Sequence, residues 1–202
     1  MWWNDLSAAR DEVAKSCTAT RIAPGAIVED GAIIEGPVVI DSGARICRGA
    51  IVRGPVLIGA GSMIGNGAVV RGPSRIGRGV RIGLGAEIKC SVLADNVAIG
   101  PQCYLGDTLV EAGAYLGAMV RTSNHRLDGH TVTALCKGEL IDTGLEKLGC
   151  HIGESAALGI QVVILPGRTV AAHAVFGPGI IIEKNLPAGR YRLVQQLNEI
   201  AS

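Results

Sequence analysis

The stretch Ile58-Gly59-Ala60-Gly61-Ser62-Met63-Ile64-Gly65-Asn66-Gly67-Ala68-Val69-Val70 repeats itself after six residues. An aliphatic residue is followed by glycine three positions on, by a small residue four positions on, and by the next aliphatic at six. Followed outward in both directions, the aliphatic position recurs without a slip at Ile22, Val28, Ile34, Ile40, Ile46, Val52, Ile58, Ile64, Val70, Ile76, Ile82 and Ile88. Four residues after each stands a small or β-branched residue, from Ala26 and Ala32 through Ser62 and Ser74 to Ala86 and Val92. Both sets are expected to point inward. Glycine occupies the third position at 25, 31, 43, 49, 61, 67, 79 and 85, which suits a corner where the backbone needs positive φ. Each hexapeptide therefore reads as one short strand plus one turn. Gly36-Pro37, Gly54-Pro55 and Gly72-Pro73 recur at intervals of 18 residues, or three hexapeptides. Three sides then close a coil, and coils stack about 4.8 Å apart through parallel β pairing. An α-helix would need a period of 3.6, and an antiparallel sandwich would alternate with a period of two.

The register resumes, with shortened turns, at Leu93, Ile99, Leu105, Val110 and Leu116, and again at Ile152, Leu158, Ile164, Val170, Phe176 and Ile182. This gives about seven to eight coils. The pattern resembles the hexapeptide repeat of left-handed β-helices, which supplies the handedness that periodicity alone does not. The expected fold is all-β, a left-handed parallel β-helix over residues 19–187 with a loop excursion at 122–147 and short helices at either end. Residues 1–18 carry Leu6, Ala9, Val13 and Ala14 at helical spacing behind Met1-Trp2-Trp3, and a helix here is expected to cap the open first coil. Residues 188–202 are again helix-like from Arg190 to Ile200.

Composition narrows the partners. The 202 residues carry a net charge of +1 and 3% aromatic residues, with a pI near 7.6, so neither a phosphate-neutralising surface nor a base-stacking platform is present. Nucleic acid is not an expected partner. Mean hydropathy is +0.35, yet Arg168 interrupts the most hydrophobic stretch, Ser155 to Ile182, and no apolar run is long enough to span a bilayer. Met1 to Arg10 includes Asp5 and does not read as a secretory signal, so a cytoplasmic protein with no membrane partner is expected. Six cysteines lie far apart with no C-x-x-C pair, and free thiols are the expectation, Cys103 falling on a small inward position.

Two features depart from a plain solenoid. From Thr122 to Lys147 the register is lost for 26 residues, and a loop of that length in a compact fold is usually functional or disordered. It contains Thr122-Ser123-Asn124-His125-Arg126-Leu127-Asp128-Gly129-His130. Second, Arg53, Arg71 and Lys89 each follow an inward aliphatic and stand 18 apart, so stacking places them in a basic column. Like charges on neighbouring strands need an answer: either an anionic ligand such as a phosphate, or a solvated face balanced by Glu35.

From Glu87 to Pro187, about half the chain, the sequence resembles the C-terminal acetyltransferase domain of the bifunctional N-acetylglucosamine-1-phosphate uridylyltransferase and glucosamine-1-phosphate acetyltransferase, and especially its archaeal sugar-phosphate nucleotidylyltransferase relatives. Glu87-Ile88-Lys89-Cys90-Ser91 is similar to that family's E-[VI]-K-N-S, and Tyr104-Leu105-Gly106-Asp107 to its Y-[IL]-G-D. Gly117-Ala118 through Asn124 resembles its G-A-G-T-x-T-x-N, and Asp142-Thr143-Gly144-Leu145-Glu146-Lys147-Leu148-Gly149 resembles the archaeal D-T-G-L-R-K-L-G. The resemblance implies acetyl-CoA as donor, a trimer, and contacts from Arg71, Lys89, Tyr104, Asn124 and Lys147 to a sugar phosphate. It places Ala118, Gly159, Ile160 and Gly177 along the acetyl-CoA groove. The family's general-base histidine, however, falls on Pro101 here. The G-x-G-T-R-L loop of the nucleotidylyltransferase domain is missing, so uridylyl transfer is not expected.

A second resemblance supplies a base. Asn124-His125-Arg126-Leu127-Asp128-Gly129 is similar to the N-H-R-M-D-G of hexapeptide xenobiotic acetyltransferases, whose histidine takes the proton. Histidine suits that work because its pKa lies near neutrality. The expected catalytic set is His125, Asn124 and Asp128, with His130, His151 and His173 read as structural or exposed, and Asp107 as a turn acceptor. Zinc is disfavoured: His125 and His130 are five apart, as in the γ-class carbonic anhydrases that share the fold, but a third ligand has no counterpart. The expected activity is acyl transfer to an amino or hydroxyl group of a sugar phosphate or nucleotide sugar. The rival is a non-catalytic β-helix that binds sugar nucleotides or scaffolds other enzymes.

Overall fold

The computed structural model describes residues 1–194. The repeat closes into a three-sided prism of parallel sheets. The first face has eight strands, from Arg21–Ile22 to Thr169–Val170; the second has nine, from Ile27–Val28 to Arg190–Tyr191; the third has eight, from Ile33–Glu35 to Ile181–Ile182. The chain visits the faces in that order and returns, so there are slightly more coils than the seven to eight expected. Vertical neighbours are 18 apart in the early coils, as in Val52 with Val70, and 17 apart where turns shorten, as in Ile88 with Leu105. All eight repeat glycines have positive φ, between 62° and 83°.

The inward positions form one continuous core. From Ile40 to Ile182 the aliphatic column is almost fully buried, each side chain contributing about 1.5–3 kcal/mol on burial. One inward assignment changes. The turn after Ile88 is a residue short, so Ser91 takes the inward place and Val92 faces out, buried under other elements. Here hydroxyls stand in for backbone partners that the shortened corner no longer supplies: Ser74 Oγ accepts from Ser91 N at 3.0 Å, and Ser91 Oγ accepts from Thr108 N at 3.1 Å.

Both terminal expectations need correction. Helix α1 (Trp2–Ser16) does not cap the first coil; it lies along the outside of the first face, over Ser74–Ile76, Val92–Leu93 and Leu109–Val110. Trp3 and Leu6 pack against Val92 and against Val132, Ala134 and Leu148 of the excursion. Ala14, counted in the apolar stripe, is exposed. Trp2 stacks on His151 with ring centroids 5.9 Å apart, and Arg75 bonds Glu12 at 2.7 Å. The physical reason is the outward apolar patch that the shortened turn creates at Val92, which offers the helix more surface than the coil end does. Among the described residues nothing covers the first coil, where the inward residue Ile22 is 51% exposed. At the other end, Arg190–Tyr191 is not helical but a parallel strand on Val175–Phe176, and Tyr191 stacks on Phe176 at 4.7 Å. The rest of the expected C-terminal helix, residues 195–202, lies outside the described residues.

Candidate active site

The excursion leaves the third face after Thr122 and rejoins the first at His151, so it projects from the corner between them. It folds as an antiparallel hairpin of Thr133–Cys136 and Glu139–Asp142. The hairpin lies directly against the next coil: a Cβ on Gly167 would fall 2.2 Å from the Thr133 carbonyl oxygen, so only glycine fits. Its two ends are tied together where His125 pairs with Lys147 as an isolated antiparallel bridge and Leu148 N donates to Asn124 O at 3.0 Å.

The residues implicated in the sugar-phosphate contacts converge at this corner. Lys89 pairs in register with Arg71 and Gly106, and Glu87 with Tyr104. A Cβ on Gly106 would lie 2.8 Å from the Tyr104 hydroxyl oxygen and 2.9 Å from Asn124 Nδ2, so both side chains crowd over that glycine. Lys147 is exposed and is bridged to His125. The basic column carries its own counter-charges: Arg53 Nε donates to Glu35 at 2.6 Å, Arg71 Nε to Glu87 at 3.0 Å, and Lys89 Nζ to Asp107 at 3.0 Å. The repulsion is answered inside the protein, by Glu87 and Asp107 as well as Glu35.

Asp107 does more than cap a turn. It is 3% exposed, and its carboxylate accepts from Lys89, from Asn124 Nδ2 at 2.6 Å and from Arg10 Nη1 of helix α1 at 3.2 Å. A buried carboxylate needs such partners, and meeting them fixes Asn124, the first residue of the motif that carries His125. Sequence reading missed this role. The only signal was the aspartate of Tyr104-Leu105-Gly106-Asp107, and its partner Arg10 is 97 residues away.

His125 is exposed, and its Nδ1 lies 3.2 Å from the Glu146 carbonyl oxygen. A carbonyl only accepts, so this bond is made with a proton on Nδ1, and in the neutral ring Nε2 is then the acceptor. Asp128 does not join it: both carboxylate oxygens are held by Arg126, with Nε at 2.9 Å. That guanidinium, with the His130 backbone N–H, holds the Asp128 carboxyl well below the usual carboxylate range. His125 borders a cavity of about 550 Å³ that is also lined by Ser123, Arg126, Asp128, Thr133 and Arg168. His130 and His173 are exposed, and His151 bonds Glu111 at 2.8 Å.

The residues implied for the acetyl-CoA groove stack at a different corner, between the second and third faces. Gly117 lies on Gly159 and Ile160, and Gly159 on Gly177; Gln161 N donates to Ala118 O at 2.9 Å. Ile160 is 42% exposed, which leaves an apolar edge on this ridge. Pro101 occupies the same corner, its carbonyl accepting from Met119 N at 2.9 Å.

Residues 55–90 match the family described as bacterial transferase hexapeptide (six repeats). The uncharacterized acetyltransferase YaiX of Escherichia coli O6:K15:H31 is 48% identical over 177 residues, which cover 88% of this chain and 76% of that one. The chain belongs to the hexapeptide-repeat acyltransferases. The putative uncharacterized acetyltransferase YaiX of Escherichia coli K12 is 50% identical over 111 residues, 55% of this chain and 48% of its own. A bifunctional sugar-1-phosphate nucleotidylyltransferase/acetyltransferase of Sulfurisphaera tokodaii is 35% identical over 105 residues, 52% of this chain and 26% of its own. The chain thus spans about half of one of these relatives and about a quarter of the other. As a member of an acetyltransferase family the enzyme takes its acyl group from acetyl-CoA. Among the described residues no helix is long and apolar enough to cross a membrane.

Proposed function

We propose that this enzyme transfers the acetyl group of acetyl-CoA to an amino or hydroxyl group of a sugar phosphate or nucleotide sugar, with His125 as general base at a site shared between subunits of a trimer. The observation that carries the reading is the Nδ1–H to Glu146 carbonyl bond beside a cavity large enough for a small acceptor. It leaves Nε2 basic and aimed by the backbone. Nε2 takes the proton of the acceptor as its nitrogen or oxygen attacks the thioester carbonyl, and gives it to the departing thiolate. Asn124, held by Asp107, sets the start of the His125 segment; Lys147 pairs with His125, and Arg71, Lys89 and Tyr104 lie on earlier coils of the same face. The sugar acceptor is supported by the name of the archaeal relative and by the convergence of these residues at one corner.

The shared site rests on geometry. His125 projects from the corner between the third and first faces, and Ala118, Gly159, Ile160 and Gly177 lie on the corner between the second and third. A neighbour that brings its groove corner to this chain's His125 completes the pair. His125→Ala is expected to lower kcat by about 10²–10⁴ with acetyl-CoA affinity retained. Full turnover in that variant would move the base elsewhere, and a wild type that acetylates nothing in a panel of amino sugars, sugar phosphates and nucleotide sugars would overturn the sugar acceptor.

A further inference from the structure

The cavity beside His125 is lined by two arginines that the mechanism above does not use, Arg126, which is paired with Asp128, and Arg168. Arg168 stands on the same corner one coil beyond the excursion, between strands Val163–Ile164 and Thr169–Val170. Its guanidinium is held by two backbone carbonyls: Nε donates to Glu183 O at 2.5 Å and Nη1 to Thr133 O at 3.5 Å. The Thr133 carbonyl is itself fixed by the close packing of the hairpin on Gly167. A guanidinium has five N–H donors, so three remain after these two bonds. No carboxylate among the described residues pairs with it. The one acid lining the cavity, Asp128, is committed to Arg126 through both oxygens.

This differs from the basic column, where Arg53, Arg71 and Lys89 each meet an acid. Arg168 is instead half-buried, and burial first and the nearby Arg126 second disfavour its charge. The protein thus keeps a cation in place with carbonyl acceptors and does not neutralise it. A planar guanidinium with spare, parallel donors matches the oxygens of a phosphate better than any neutral group. Carbonyls on its far side keep the fork from turning away.

We infer that Arg168 is the anion anchor of the acceptor pocket and binds a phosphate of the acceptor while His125 faces the group to be acetylated. This rests on the acceptor reading proposed above and makes it specific: the phosphate goes to Arg168, not to the already paired column. The same contact would take a sugar monophosphate or the diphosphate of a nucleotide sugar, because both present non-bridging phosphate oxygens.

Inorganic pyrophosphate is a suitable probe, since it needs neither turnover nor a known sugar. Calorimetric titration of the whole chain is expected to show one site per chain, weakened about ten- to a hundredfold in Arg168→Gln, as the loss of a charge-assisted hydrogen bond requires. Arg168→Lys, which keeps charge without the fork, should fall between. Because either substitution can disturb folding, wild-type protein is also treated with phenylglyoxal and its modified arginines are mapped by mass spectrometry. Pyrophosphate should protect Arg168 and leave Arg53 as reactive as before. Equal binding by Arg168→Gln and wild type, or an Arg168 modified at the same rate with and without pyrophosphate, would overturn the assignment. If His125→Ala keeps full turnover, only the base assignment falls, since the pyrophosphate measurements involve no proton transfer.

Discussion

Cys150 has no exposed surface and lies within 4.0 Å of the Thr108 hydroxyl, where burial pushes its thiol up to about 12. Cys47, Cys90 and Cys103 are raised in the same direction by the same cause. An unfolded thiol ionises near 8.5, so the unfolded chain loses these protons first. The stabilisation is complete below that value and is lost as pH rises toward the folded one. Unfolding free energy under reducing conditions should therefore decline above about pH 8.5, by up to about 1.4 kcal/mol per pH unit for a fully shifted thiol. Cys150→Ala should flatten the decline, and urea titrations between about pH 8 and 11 that give parallel slopes for the two proteins would refute it. The residues of the candidate site are legible in the sequence to different degrees. His125, Asn124, Lys89 and Tyr104 sit in local motifs, and Lys89, Tyr104 and Asn124 meet around Gly106 and Asp107. Asp107 and Arg168 are not readable that way, because what defines them is a partner distant in sequence: Arg10 for the first, the Thr133 and Glu183 carbonyls for the second. Asp128 is close to His125 in sequence, but the guanidinium two residues away claims it.

Two glycines of one corner, Gly65 and Gly67, show how strands and corners constrain each other. Gly67 has φ of 62° and open space where a Cβ would stand, so Gly67→Ala meets only the left-handed backbone cost, about 1–2 kcal/mol. Gly65 has no such φ, but a Cβ there would fall 2.5 Å from the Ile82 carbonyl oxygen of the next coil. Gly65→Ala forces coils apart and should cost about 3 kcal/mol or more, by analogy with severe overpacking. Thermal unfolding that ranks Gly67→Ala as the more damaging would contradict this account of the stacking. The strands themselves are readable because a six-residue period leaves no other regular structure available. The ends are not. An apolar stripe such as Trp3, Leu6 and Val13 shows that a helix is covered, not by what, and the outward turn of Val92 that receives it depends on one missing residue in a corner. Likewise Tyr191 looks helical in its own neighbourhood and becomes a strand because Phe176 and Val175 offer an open edge.

For the molecule as a whole, the separation of the His125 corner from the Ala118 and Ile160 corner predicts assembly. Light scattering should give about three times the chain mass of 20.8 kDa, and an active monomer would remove the shared site. Sheet hydrogen bonds join each coil mainly to its neighbours, which is why the body of the fold follows from a local pattern. Helix α1 is the exception. It ends at Ser16, yet its seat is built from Ser74–Ile76, Val92–Leu93, Leu109–Val110 and the excursion through Leu148. On a ribosome the helix emerges long before that seat exists, and at about 5–20 residues per second the interval is on the order of ten seconds. During that time Trp3 and Leu6 have no native cover, so nascent chains halted before Leu148 should present this helix to hydrophobic-binding chaperones, and chains released beyond it should not.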